Sequence, residues 1–150
     1  MKALIFAAGM GDRLRPLTDT VPKALLPVDG RPMLEHVILK LKNAGFEDIT
    51  INIHHLGDQI LDFLWANHNF GVEIHISDER EYLLDTGGGI KHAAAYLDGD
   101  EPFLVHNVDI FSNVDLRHLY EIHQAGNALS TLLVSRRQTS RYLLFDKQNR

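Results

Sequence analysis

The order in which apolar patterns change along the chain narrows the fold more than any other feature. Lys2-Ala-Leu-Ile-Phe-Ala-Ala8 is a short continuous apolar run stopped by Gly9, as expected of a strand buried on both faces of a parallel sheet. It reads as the central strand. From Arg31 to Gly45, residues Met33, Leu34, Val37, Ile38 and Leu41 recur at helical spacing. Pro32 suits the first helical turn and Gly45 a left-handed C-terminal position. Residues 48–53 and 72–76 alternate as strands, and Ile60, Leu61, Phe63 and Leu64 between them mark an amphipathic helix. After Thr86-Gly-Gly-Gly89 the pattern predicts a helix to about residue 97, an apolar strand over 102–107, a helix from about 115 to 125, and a further apolar segment over 128–134. Strands alternating with helices predict an α/β domain over residues 1–150. Its sheet is doubly wound, mostly parallel and Rossmann-like, with ligands beyond the strand C-termini.

A chain of 150 residues can bury roughly 68–70% of its unfolded surface. With 45% apolar residues and a net charge of −5, it is too hydrophobic for disorder and too acidic for general polyanion binding. Nucleic-acid and membrane-surface roles drop away. No Cys is present, which excludes a disulfide scaffold, a thiolate nucleophile and a Cys-ligated metal. The early apolar run is too short for a signal or membrane segment, so a cytoplasmic protein is expected. Arg141-Tyr-Leu-Leu-Phe145 reads as a strand and Asp146-Lys-Gln-Asn149 as a turn, with no returning strand before Arg150. The expectation is the N-terminal part of a longer domain, truncated at its C-terminus. The oligomeric state stays open.

The chemistry concentrates in Ala7-Ala-Gly-Met-Gly-Asp-Arg-Leu-Arg-Pro-Leu-Thr18 and the following Pro22-Lys-Ala-Leu-Leu-Pro27. Gly9 and Gly11 permit positive φ and leave no Cβ in the way, so backbone N–H groups can converge on phosphate oxygens. Arg13 and Lys23 would add side-chain charge. A plain tight turn explains the glycines equally. The dinucleotide fingerprint fails because its third glycine position is Leu14, and no Gly-Lys-Ser/Thr follows for a Walker A loop. Asp109 follows a buried run directly, so its carboxylate should emerge at the C-terminal edge of the sheet. A hard oxygen there suits Mg²⁺ bridging nucleotide phosphates; a cap on the next turn is the plainer role. Thr86, Gly87 and Gly88 would let a base or ribose approach backbone, or simply connect elements. Asp85 could bond a hydroxyl or cap the helix. Asn52 and His54 close a strand at the same edge and could read a nucleoside. His118 and His123 are five apart and His54 and His55 point oppositely, so no histidine metal site is expected. The basic cluster over 135–141 reads as a solvated loop.

These motifs resemble the sugar-1-phosphate nucleotidylyltransferases, which make nucleoside-diphosphate sugars. Gly9, Gly11, Arg13, Leu14, Pro16, Leu17, Thr18, Pro22 and Lys23 match that family's Gly-x-Gly-x-Arg-Leu/Met-x-Pro-Leu-Thr loop and the Pro-Lys that follows it. Asn52-Ile-His-His-Leu-Gly-Asp-Gln-Ile60 and Leu84-Asp-Thr-Gly-Gly-Gly-Ile90 look most like the branch of N-acetylmuramate-1-phosphate uridylyltransferases and mannose-1-phosphate guanylyltransferase-like proteins. The resemblance implies that a sugar-1-phosphate oxygen attacks the α-phosphorus of a nucleoside triphosphate and pyrophosphate leaves, chemistry that depends on positioning and charge neutralisation. It implies that Arg13 holds the pyrophosphate-forming oxygens, that Lys23 neutralises charge at the reacting centre, and that Asp109 ligates Mg²⁺. The backbone of Ala7, Ala8, Gly9, Met10 and Gly11 would cradle the nucleotide, and Asp85, Thr86, Gly87 and Gly88 would contact the nucleoside. Asn107 and Asp109 match an Asn-Gly-Asp motif in which Val108 replaces the usual glycine. The family's second metal-binding aspartate would lie beyond residue 150. UTP is favoured over GTP. The alternatives are a non-catalytic nucleotide-sugar-binding regulatory homologue and, within enzymes, a phosphocholine cytidylyltransferase-like acceptor.

Overall fold

A computed structural model of the chain describes residues 1–135, 138, 140, 144, 146 and 147. In chain order the elements are β1 (Lys2–Phe6), β2 (Pro27–Val28), β3 (Arg31–Pro32), α1 (Met33–Asn43), β4 (Asp48–Ile53), α2 (Gly57–Ala66), β5 (Glu73–Asp78), α3 (Asp85–His92), α4 (Ala94–Leu97), β6 (Phe103–Asn107) and α5 (Leu116–Ala125). Short 3₁₀ turns punctuate the long segment between β1 and β2. Four strands form one parallel sheet in the order β5-β4-β1-β6, and β2 and β3 form a small antiparallel hairpin. The expected β-α-β-α-β order and the inner position of β1 are both present.

The sheet is covered on both faces because successive side chains of a strand point oppositely. Ala3 and Ile5 of β1, with Ile49, Ile51 and Ile53 of β4, meet Leu34, Val37, Ile38 and Leu41 of α1, Ile60 and Leu64 of α2, and Leu116 and Tyr120 of α5. The intervening Leu4 faces the other way, onto Ala93 and Leu97. Each Leu, Ile or Val side chain so buried contributes about 1.5–3 kcal/mol of transfer free energy. All of β4 beyond Asp48 is buried, so its alternating sequence does not mark a wet face: Thr50 is fully buried, and Asn52 lies against Gly89 of α3.

Four details depart from the sequence pattern. Pro32 stands at the N-cap of α1 with extended ψ, one position before the first turn, because it also pairs in the β2–β3 hairpin. Gly45 does take the left-handed position, at φ +91°. Gly87, Gly88 and Gly89 lie inside α3, not ahead of it, and the helical stretch breaks into α3 and α4. Residues 128–134 form no strand, and Leu129, Leu132, Leu133 and Val134 are exposed. β6 stands at the sheet edge with its outer side unpaired by any described strand, and residues 128–134 do not add to it. The strand expected over 141–145 and the basic cluster over 135–141 fall largely outside the described residues.

Phe46 is fully buried and meets Tyr120 edge-on, with ring centroids 5.6 Å apart. Phe46→Ala should therefore lower unfolding free energy by about 3–5 kcal/mol in urea titrations; a loss below about 1 kcal/mol would contradict this packing.

Candidate functional site

The site is built at the C-terminal ends of β1, β4, β5 and β6, where a parallel sheet gathers the loops that follow its strands. The backbone turns away from β1 at Ala7 and Ala8, both buried, and becomes accessible from Gly9 onward. Ala7 N and Ala8 N both donate to Asn52 Oδ1, at 2.7 and 3.1 Å. Asn52 Nδ2 donates to Glu79 Oε1 at 2.9 Å, and the second oxygen of Glu79 accepts from Leu84 N at 3.1 Å. Asn52 and Glu79 are each only 2% exposed. Asn52 is thus consumed as a strut beneath the loop, although the sequence reading offered it to a nucleoside. His54 is engaged similarly, its Nδ1 donating to the Glu79 carbonyl at 2.6 Å.

Gly11 is required where it stands. Its φ is +72°, and a Cβ there would fall 2.6 Å from Thr18 Cγ2 and 3.3 Å from Lys23 Cβ. Thr18, 1% exposed, donates its hydroxyl to Gly11 O at 2.9 Å, while His55 Nε2 donates to Thr18 O at 3.0 Å. The segment carrying Arg13 and Lys23 is therefore stitched to the sheet through Thr18. Gly9 meets the opposite condition, with open space where a Cβ would be. Met10 is half-buried and Arg13 is exposed, with no ion pair among the described residues.

Lys23 and Asp109, 86 residues apart, are brought into direct contact, Lys23 Nζ donating to Asp109 Oδ2. Their side chains are 19% and 37% exposed, so the pair sits at a mouth rather than in the interior. Val108 points the other way into the main core at 3% exposure, and its N donates to Phe6 O. Its Cβ is therefore not on the open side of the loop. Asn107 ends β6 opposite Phe6, and with Thr86 it lines an open groove of about 970 Å³ along the β6 edge.

In α3, Gly89 packs on the strut: a Cβ would fall 2.9 Å from Glu79 Oε1 and 3.1 Å from Asn52 Nδ2. Gly87 faces open space, and Asp85 and Thr86 are exposed. Asp85 opens α3 at φ +55° and makes no capping hydrogen bond. The loop ahead of it is anchored by Arg80, which pairs with Asp78 at 2.5 Å and Asp58 at 2.6 Å. The guanidinium of Arg80 holds the Asp78 carboxyl below its ordinary range, and Asp78 in turn pushes Arg80 up.

Sequence reasoning missed Glu79, whose run Asp78-Glu79-Arg80 resembles a solvated strand end. Nothing in the sequence sets Glu79 apart from its acidic neighbours Asp78 and Glu81. It also missed the Asp48, Glu73 and His75 group, in which His75 Nε2 lies 3.5 Å from Asp48 and 3.4 Å from Glu73. The register of β4 with β5 creates that group, whose ligand atoms could hold a metal ion. It stands at the strand starts, the edge opposite Asp109.

Two outcomes follow from this geometry. Asn52→Ala leaves two buried N–H groups and one Glu79 oxygen without a partner, at about 1–3 kcal/mol for each group, and should lower the melting temperature; an unchanged melting temperature would contradict the strut. His106, 7% exposed, has an imidazole pushed below its ordinary 6.5 by burial. Below about pH 6.5 the unfolded chain binds a proton that the folded chain refuses, so stability is lost as pH falls. His106→Asn should shrink the drop in melting temperature between about pH 7 and pH 5, and an unchanged drop would assign that loss elsewhere.

Comparison with known proteins agrees with this architecture. The family described as nucleotidyl transferase matches residues 2–145. The N-acetylmuramate alpha-1-phosphate uridylyltransferase of Neisseria meningitidis serogroup B is 46% identical over 121 residues, covering 81% of this chain and 52% of that protein. The mannose-1-phosphate guanyltransferase of Kluyveromyces lactis is 38% identical over 138 residues, 91% of this chain and 38% of that one. A crystal structure of UDP-glucose pyrophosphorylase complexed with UDP-glucose superposes with a TM-score of 0.68 at 25% identity, covering 83% of this chain and 53% of that chain. The chain thus spans about half the length or less of these curated relatives. With its parallel sheet, its glycine loop and a match over 2–145, the chain belongs to the nucleotidyl transferase family.

Proposed function

We propose that this chain supplies the nucleotide-handling part of a cytoplasmic nucleotidyltransferase. The enzyme moves a nucleoside monophosphate from a nucleoside triphosphate to a sugar-1-phosphate. The observation that carries the reading is the Lys23–Asp109 pair beside Gly11 at the C-terminal edge of the sheet. The relatives named for uridylyl and guanylyl transfer support it, with UTP as the first nucleotide and GTP the second. A phosphate oxygen of the sugar-1-phosphate attacks the α-phosphorus, the bond from that phosphorus to the α–β bridging oxygen breaks, and pyrophosphate departs.

In this reading Lys23 contributes a fixed positive charge beside the reacting phosphates. A preorganised donor in a partly desolvated site stabilises developing charge without reorganising during the reaction. Arg13, exposed and without an ion partner among the described residues, is available to fork onto the departing pyrophosphate oxygens. The accessible backbone from Gly9 to Gly11 lies against the triphosphate, and the open face at Gly87 against the nucleoside. The donor chemistry at Asp109 suits Mg²⁺: it is a hard carboxylate at the mouth, with one oxygen on Lys23 and no partner on the other among the described residues. A Mg²⁺ held there would neutralise phosphate charge and polarise the α-phosphorus.

Pyrophosphate release should be measured on the full-length protein with UTP, GTP, CTP and dTTP against a panel of sugar-1-phosphates and phosphocholine. Lys23→Ala is expected to lower turnover by about 10²–10³ with little change in nucleotide affinity. Undiminished turnover would remove Lys23 from the mechanism. Nucleotide binding without turnover for any pair would instead identify a non-catalytic sensor.

A further inference from the structure

Asp109 stands in an irregular segment, residues 108–114, between β6 and α5. The sheet fixes its N-terminal side, since Val108 N donates to Phe6 O at 3.1 Å and the Val108 side chain is buried. The C-terminal side is fixed from α1. Lys40 Nζ donates to Ser112 O at 2.6 Å and to Ser112 Oγ at 2.8 Å. One turn earlier on the same helix, His36 meets Phe111 edge-on, with ring centroids 5.4 Å apart. Two side chains spaced i, i+4 on one helix face thus grip two consecutive loop residues.

A lysine side chain loses considerable rotamer freedom when held, and a surface lysine has water as an equally good partner. Lys40 has given up part of that water: burial lowers its ammonium below the ordinary lysine value of 10.5. Its two acceptors are both on Ser112, three residues beyond Asp109. No described ion pair involves Lys40, so its contact with the loop is not incidental to a carboxylate partner. We propose that Lys40, assisted by His36, is a positioning residue for Asp109, clamping the loop after β6 so that the carboxylate is held at Lys23 and at the nucleotide phosphates. This inference rests on the reading of Asp109 given under Proposed function.

Supporting residues of this kind change metal affinity or activity by about 10–100-fold when removed. The test compares, in the full-length protein, parent, Lys40→Met, Lys40→Arg, Ser112→Ala and Asp109→Asn, each checked for its melting temperature. Two quantities are read: the gain in UTP affinity on adding Mg²⁺, by titration calorimetry, and the Mg²⁺ concentration giving half-maximal pyrophosphate release.

Lys40→Met should cut the Mg²⁺-linked gain and raise the Mg²⁺ requirement, each by about 10-fold or more, while metal-free UTP affinity stays within about twofold. Excess Mg²⁺ should restore its turnover but not that of Asp109→Asn. Lys40→Arg, which keeps donors, should stay near the parent. Ser112→Ala keeps the backbone acceptor and should shift both readouts less, in the same direction; it carries the test if Lys40→Met does not fold. A folded Lys40→Met, or failing that Ser112→Ala, with unchanged Mg²⁺ linkage overturns the positioning role and leaves the functional reading standing. A parent in which Mg²⁺ adds nothing to UTP affinity, and which releases no pyrophosphate, overturns the functional reading and the positioning role with it.

Discussion

A single buried amide holds the working edge of this protein together. Asn52 lies buried near the C-terminal end of an inner strand, where an unpartnered polar group would be expensive, and both its oxygen and its nitrogen are engaged. Its oxygen stops the backbone leaving β1 by accepting from Ala7 and Ala8, and its nitrogen reaches Glu79 just past β5. Glu79 passes the constraint on to Leu84, and Gly89 closes over both with no room for a Cβ. Three segments distant in sequence are thereby fixed to a common origin before any ligand is considered. A carboxylate 2% exposed is tolerated there because amide donors meet both of its oxygens.

From that origin the placement of charge follows. All four main strands run parallel, so the segments after β1, β4, β5 and β6 emerge on one side. The chain puts its accessible glycine loop, Lys23 and Asp109 on that side and keeps its carboxylate–histidine group, Asp48 with Glu73 and His75, on the other. Lys23 and Asp109 each hold the other in a defined place at a partly solvated mouth. A phosphate oxygen entering the mouth, as proposed, would compete with Asp109 for the ammonium.

Elements that depend on local pattern were legible in the sequence: β1 from its apolar run, α1 from the spacing of Leu34 to Leu41, and the left-handed turn at Gly45 from one glycine. The glycine loop, Lys23 and Asp109 were legible as residue types. That Lys23 touches Asp109 was not, because their contact depends on strand order and on a loop held by α1. Asn52 misled for a physical reason. A polar residue at a strand end carries the same sequence signal whether it faces a ligand or satisfies two backbone donors from another strand, and burial alone separates the two. Residues 128–134 misled differently: their apolar pattern suits a strand, yet they pair with no described strand although β6 leaves its outer edge open, because an apolar run does not by itself specify a partner or a register.

Val108 shows how one orientation decides what a substitution means. A valine where the resemblance leads one to expect glycine suggests a blocked approach to the backbone. Strand alternation instead carries Leu104, His106 and Val108 to one face of the sheet, with Leu104 and Val108 in the core beside α1 and α5, and leaves Asn107 and Asp109 accessible. The added methyl groups therefore bury apolar area behind the loop while the side facing the site is unchanged. They also remove the conformational freedom a glycine would have there. In this chain rigidity just before Asp109 comes from a packed side chain, and rigidity just after it from Lys40, so the carboxylate is constrained from both directions by groups that need not touch the substrate.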